Sequence, residues 1–298
     1  MIRDFYRDRT VLLTGGTGFY GQGLLAKMLR DLPEIARIYV PIRSGKNKDG
    51  TRVGVEQRLR ALFAEAAVFS RFRRKDPKGF ATATEKVVAI ECDMLKPGLG
   101  LQPEIRLRLE DELDVIISIA ATVSFDDPLD HSLQLNTLGP QEMLELARSG
   151  KKTPILVHVS TAYVSGKLGG IIAEEPLPDD CDIKQLMAGG VPENPFDVEA
   201  EIAASEESCR QIRQRASSAD LEEIFRREIL EQSRSWQLSE SRLAKLVDGH
   251  RKRWTERELV REGMERAHEH GWNDVYTFTK GMGEQLLLKK RGQVPLAI

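Results

Sequence analysis

Short, continuously apolar runs recur along the first half of this chain, and each ends in glycine or polar residues. They occupy residues 10–14, 37–42, 86–90, 115–120 and 155–159. Runs this short, without period-two alternation, predict strands buried on both faces, as in a parallel sheet. Helical spacing appears between them at 24–32, where Pro33 lies just beyond, and at 55–67 and 137–147. Strands alternating with helices predict an α/β fold whose parallel sheet is covered on both sides.

From about 195 to 270 strand-like runs vanish and helix formers dominate. Leu221, Ile224, Phe225 and Ile229 share one helical face, as do Leu243, Leu246, Val247 and Trp254. Thr255 and Glu258 have capping-box spacing, and Gly271 stands where a helix C-terminal cap belongs. The predicted organisation is a core over 1–194, a helical insertion over 195–270, and a final helix with the start of a strand over 271–298. Residues 294–298 look like the opening of a sixth strand, which suggests a piece of a longer protein, with a natural short chain as the alternative.

The turn after the first run reads Thr14-Gly15-Gly16-Thr17-Gly18-Phe19-Tyr20-Gly21. Gly15 allows a tight turn, Gly18 lets backbone approach a pyrophosphate, and Gly21 lets helix pack on strand. The helix amino terminus then offers N–H groups to an anion. This context predicts a dinucleotide cradle in a Rossmann-type doubly wound sheet, against the plain alternative of an ordinary turn. An NAD site usually ends its second strand with a carboxylate for the ribose hydroxyls. Here that strand ends Pro41-Ile42-Arg43-Ser44-Gly45-Lys46. Arg43 can pair with a 2′-phosphate, with Lys46 or Lys48 adding charge, so the expected cofactor is NADPH. Solvated loop cations are the alternative reading.

Tyr276 and Lys280 lie one helical turn apart in Tyr-Thr-Phe-Thr-Lys. A free tyrosine, with a pKa of about 10, is a poor acid or base at neutral pH. A nearby ammonium stabilises the phenolate and brings that pKa towards the working range. Val159-Ser160-Thr161-Ala162-Tyr163 places hydroxyls just past the fifth run, where ligands bind in open α/β sheets. Cradle, hydroxyl and Tyr–Lys pair together predict a nicotinamide-dependent oxidoreductase.

Composition narrows this further. A chain of 298 residues can bury a full core. Its 44 basic and 46 acidic residues give a net charge of −2, so no dominant field points to nucleic acid. Cys92, Cys181 and Cys209 lack paired spacing, which fits a reducing cytoplasm. The charged amino terminus reads against a secretory signal, and the longest apolar stretch, 115–123, is too short to span a bilayer. A cytoplasmic protein is expected, with peripheral membrane contact left open. No His, Cys and carboxylate cluster has metal-ligand spacing, so no metal is expected. Arg71, Arg73, Arg74 and Lys75 read as a solvated loop or helix end, with coenzyme A phosphates as the alternative. His158 reads as a packed strand residue, and His268 and His270 as favourable cations at a helix carboxyl end. Met282 and residues 286–288 give the tyrosine helix more apolar surface than one core face needs, which leaves a homo-oligomer open.

The glycine turn, Val-Ser-Thr-Ala-Tyr-Val and Tyr-Thr-Phe-Thr-Lys together resemble the extended branch of the short-chain dehydrogenase/reductase superfamily. Within it the chain looks most like the fatty acyl-CoA reductases, also called male-sterility-type reductases. Lys96-Pro97-Gly98-Leu99-Gly100-Leu101, Ala121-Thr122-Val123-Ser124-Phe125-Asp126 and Leu135-Asn136-Thr137-Leu138-Gly139 support this. The match runs from about residue 5 to the last and is loosest across the helical insertion. The resemblance implies that Tyr276 is the general acid and that Lys280 holds the nicotinamide ribose and tunes the tyrosine. It implies that Thr161 hydrogen-bonds the substrate carbonyl, with Ser160 the neighbouring alternative, and that Asn136 orients a water in the proton relay. Asp93 and Met94 would border the adenine, Ala120 and Ala121 would line the cofactor cleft, and Thr17 and Phe19 belong to the cradle. The implied reaction is NADPH-dependent reduction of a long-chain acyl-CoA, or another acyl thioester, to an aldehyde or alcohol. A nucleotide-sugar epimerase or dehydratase shares the cradle and the Tyr–Lys pair, and a non-catalytic NADP-binding fragment also stays open. Family members continue past the tyrosine helix, so the acyl pocket is expected to be only partly built in this chain.

Overall fold

Six strands form one parallel sheet: β1 (Thr10–Leu13), β2 (Arg37–Ile42), β3 (Val87–Glu91), β4 (Val115–Ser118), β5 (Ile155–His158) and β6 (Leu296–Ala297). Their spatial order is β3-β2-β1-β4-β5-β6. This is the doubly wound order, and its direction reverses between β1 and β4, where such sheets bind dinucleotides. Alternate residues feed two cores, as the period of a strand requires. Val11, Leu13, Ile38, Val40, Val115 and Ile117 point to one face, and Leu12, Tyr39, Ile116 and Leu156 to the other. Burial on both faces is why each strand reads as an unbroken apolar run.

The computed structural model describes residues 1–46, 49–189, 192–232 and 239–298, so Lys48 lies outside the described residues. The chain forms two compact units. The first comprises residues 1–122, 134–161 and 286–298, and holds the sheet. Its helices include α1 (Phe19–Asp31), α2 (Val55–Glu65) and α3 (Gly139–Ser149). Helix α1 starts earlier than its apolar spacing indicates, because Gly18 is its N-cap. A further helix, Ala67–Lys75, carries the basic run Arg71 to Lys75 in its second half. A π-helical turn, Gln134–Leu138, precedes α3.

The second unit comprises residues 123–133 and 162–285. Its main elements are α4 (Ile183–Ala188), α5 (Val198–Ala216), α6 (Ala219–Gln232), α7 (Glu240–Glu269) and most of α8 (Val275–Lys290). Phe225 and Ile229 of α6 are buried against Leu243 and Val247 of α7, with Leu221 and Trp254 packed around them. Each such side chain stabilises the pair by roughly 1.5–3 kcal/mol. Ile224 and Leu246, expected on the same faces, stay more than one-third exposed.

One local expectation is overturned. Thr255 does not begin a helix: α7 runs through it, Ser239 is the N-cap, and the Thr255 hydroxyl donates back to the Arg251 carbonyl at 2.9 Å. A threonine can turn its hydroxyl onto the preceding turn, so capping-box spacing inside a long helix carries no start signal. Among the described residues, no helix is long and apolar enough to cross a membrane.

Candidate functional site

In the first unit the glycine turn sits at the reversal of the sheet. Gly15 has φ +67°, and a Cβ there would fall 2.9 Å from the Ala120 amide nitrogen, just past β4. The close approach is fixed by Thr14, fully buried, whose hydroxyl accepts from the amides of Ile119 at 2.9 Å and Ala120 at 3.1 Å. Gly18 donates its N–H to the Gly15 carbonyl at 2.9 Å, and Gln22 donates to the Thr17 carbonyl at 2.7 Å. The turn is thus tied down before α1 begins, with the helix's first amides still available to an anion. Phe19 is fully exposed at the start of α1.

The second strand leads to a cationic corner. Arg43 is exposed, and Arg58 of α2 donates to its carbonyl. Thr17 of the cradle, Gln22 and Arg58 line one open cavity of about 430 Å³. A carboxylate does stand beside β2: Glu91 pairs in register with Ile42 from the end of β3. It accepts from the Ser44 hydroxyl at 2.6 Å and from Arg52 at 3.0 Å. Those bonds hold its pKa below the ordinary range, the serine first among them.

Asp93 and Met94 follow β3. The Asp93 amide donates to the Leu99 carbonyl at 2.9 Å, and Gln134 donates to the Met94 carbonyl at 3.2 Å. Asn136, fully buried, lies in the π-helical turn and accepts from the Thr122 amide at 3.0 Å, next to Ala120 and Ala121. Turns of this kind are frequent at functional sites. Ser118 Oγ, ending β4, and Ser160 Oγ, beside half-buried Thr161, are buried without a hydrogen-bond partner among the described residues. A buried hydroxyl left so costs about 1–3 kcal/mol, which fits a polar ligand at this edge of the sheet.

Tyr276 and Lys280 belong to the second unit. Asp274 starts α8 by accepting from the Thr277 amide at 2.8 Å, while its own amide donates to the Thr277 hydroxyl. Tyr276 is half-buried and meets Phe125 edge-on at 5.8 Å between ring centres. Lys280 is 2% exposed. Burial disfavours its charge and brings its pKa down to about 8, although Glu284, one turn on, opposes the shift. Trp272 seats this helix. Its ring lies where a Cβ on Gly281 would come within 2.9 Å, and its Nε1 donates to the Val164 carbonyl at 2.8 Å.

A family profile described as "Male sterility protein" matches residues 13–298. The chain belongs to that family. Among its relatives, the probable fatty acyl-CoA reductase 5 of Arabidopsis thaliana is 33% identical over 297 residues, covering 99% of this chain and 51% of the relative. The alcohol-forming fatty acyl-CoA reductase of Simmondsia chinensis is 28% identical over 305 residues, covering 100% of this chain and 52% of the relative. The chain therefore spans about half the length of the curated relatives it matches. A solved structure, the terminal R domain from the myxalamid PKS-NRPS biosynthetic pathway, is 30% identical and covers 58% of this chain and 39% of its own, with a TM-score of 0.43.

In this male sterility family chain the first unit gathers Gly15, Thr17, Gly18, Gly21, Ala120, Ala121 and Asn136 around the sheet reversal. Sequence reasoning missed Thr14, Arg58, Glu91, Glu284 and Trp272. Thr14 closes the first apolar run and Glu91 directly follows the third, but neither position shows its partner in the sequence.

Proposed function

We propose that this chain binds NADPH and reduces an acyl thioester, a fatty acyl-CoA above all, to the aldehyde or alcohol. The observation that carries the chemistry is Lys280, almost wholly buried one turn after Tyr276, with an ammonium that loses its proton near pH 8. A tyrosine with a cation one helical turn away on the same helix is the pairing that general acid–base chemistry by a phenol calls for. A bound nicotinamide supplies the hydride. By the family resemblance Tyr276 would give the proton to the carbonyl oxygen, Thr161 would be that oxygen's hydrogen-bond donor and Asn136 would orient a relay water. Hydride and proton would make a hemithioacetal, whose C–S bond then breaks to release the thiol and leave the aldehyde; a second hydride and proton would give the alcohol. Gly15, Gly18 and the amides opening α1 hold the pyrophosphate, and the orphaned hydroxyls of Ser118 and Ser160 support a ligand beside them. Offering the protein NADPH with palmitoyl-CoA or a UDP-sugar panel tests the reading. Conversion of a UDP-sugar without net loss of NADPH, and no reduction of the acyl-CoA, would overturn it.

Arg43 is expected to set cofactor preference, helped by Arg58, because Arg52 and Ser44 already occupy the nearby Glu91 carboxylate. Arg43→Ala should cost NADPH roughly 1.5–3 kcal/mol of charge-assisted bonding and leave NADH nearly untouched. Titration of both cofactors by fluorescence checks this. Equal dissociation constants in the unmodified protein would contradict it.

A pH dependence follows from Lys280. If its ammonium holds the ribose, the complex keeps a proton that the free protein sheds above about pH 8. NADPH affinity then falls as pH rises through that value, by at most about ten-fold per pH unit. Lys280→Met should bind more weakly at neutral pH and show no such slope. A slope unchanged in the variant would place the titrating group elsewhere.

A further inference from the structure

His270 is the C-cap of α7, and Gly271, with φ +88°, turns the chain from it towards α8. Both ring nitrogens face carboxylates. Nδ1 lies 2.8 Å from Asp182, the N-cap of α4, and Nε2 lies 3.4 Å from Glu201 in the first turn of α5. Only the imidazolium can donate from both nitrogens at once. The three side chains are 18%, 10% and 12% exposed, so water screens the contacts little.

One other charged side chain shares the clamp, fixing Glu201 in place and, as a cation, working against the imidazolium. Arg266, one turn earlier on α7, pairs with Glu201 and Glu262 at 2.8 Å each and donates to the Ser208 hydroxyl at 2.7 Å. From α4, Lys184 gives His270 only its amide, bonded to the His270 carbonyl at 3.2 Å, and its side chain is exposed. Helix α8 meets the ring with an uncharged partner, Phe278, stacked at 5.9 Å with planes 8° apart. Phe196 closes on the ring at 4.9 Å, and Trp272 touches Phe278 at 5.5 Å. Phe278 stands midway between Tyr276 and Lys280.

We propose that His270 is a positioning residue for the helix that carries Tyr276 and Lys280: clamped between Asp182 and Glu201 and stacked on Phe278, it makes the setting of that helix respond to pH. The catalytic consequence rests on the role given to Tyr276; the clamp itself does not. Burial works against the imidazolium, but the hydrogen bonds and charges of Glu201 and Asp182 outweigh it, so His270 keeps its proton above the ordinary histidine range. The sign follows. The clamp's stabilisation is complete below the ordinary value and is lost as pH rises through the raised one.

The test is an NMR titration of the His270 ring in the whole chain, joined to hydrogen exchange of α8 at about pH 6 and about pH 9, corrected for intrinsic chemistry. The ring should titrate above an ordinary imidazole, and α8 should lose roughly ten-fold protection between the two conditions, the scale of losing a hydrogen bond to a charged group. Lys280, on α8 itself, also sheds its proton in this range, so His270→Gln should abolish the pH response that persists in a Lys280→Met background. If His270→Gln does not fold, Asp182→Asn keeps the cap on α4 and must lower both the His270 titration and the response. An ordinary titration, or the same pH response in a folded variant, overturns the proposal. Neither readout uses turnover, so a loss of rate in Tyr276→Phe beside an ordinary His270 titration sinks the clamp and leaves the catalytic reading standing. A raised titration beside a fully active Tyr276→Phe does the reverse.

Discussion

Replacing Tyr276 by phenylalanine should lower turnover by about 10²–10⁴-fold, the range for losing a general acid, with NADPH affinity nearly unchanged. Phenylalanine keeps the ring, and with it the edge-on packing against Phe125 at 5.8 Å, so only the ionisable hydroxyl is removed. The seat of the helix is not touched either, because Trp272 and Phe278 hold it from other positions. A fall in rate without a fall in affinity therefore reports chemistry rather than folding. The measurement needs a length of chain that turns over an acyl thioester, with rate and cofactor binding followed in parallel. Parent-level turnover in the variant would remove Tyr276 from the mechanism and turn attention to Ser160 and Tyr163 as the acid.

Much of this architecture is visible in the sequence because of how parallel sheets bury their strands. Val115 to Ser118 is fully buried along its length, so the run shows no alternation and is easily found. Gly15 is legible for a similar reason: its positive φ and its closeness to Ala120 exclude a side chain. What escaped detection depends on partners far apart in the chain. The Thr14 hydroxyl serves amides about a hundred positions away. Glu91 reaches the end of β2 only through strand register. Thr255 shows the opposite failure, a local pattern cancelled by the helix around it. His270 combines both. Its place at a helix end was readable, but the carboxylates of Asp182 and Glu201 and the ring of Phe278 come from three other helices or their caps.

Gly21→Ala should abolish measurable NADPH binding, a loss of at least about a hundred-fold, because the added methyl has nowhere to go. A Cβ on Gly21 would lie 2.1 Å from the Gly15 carbonyl oxygen and 2.8 Å from the Gly16 Cα. Both are backbone atoms, so no rotamer change relieves the clash; either the turn opens or α1 lifts away. Lifting α1 would also disturb Leu25, Met28 and Leu29, all buried beneath it, so a stability loss of roughly 1–3 kcal/mol should accompany the lost binding. Gly23, two residues on in the same helix, is the control. A Cβ there meets nothing within 4 Å, and its substitution by alanine should stabilise the helix by roughly 0.5–1 kcal/mol with binding retained. Cofactor titration and thermal unfolding of the two variants separate the outcomes. If Gly21→Ala binds NADPH like Gly23→Ala, the packing of α1 on the turn is not what shapes the pyrophosphate site, and the cradle must be sought elsewhere along the sheet edge.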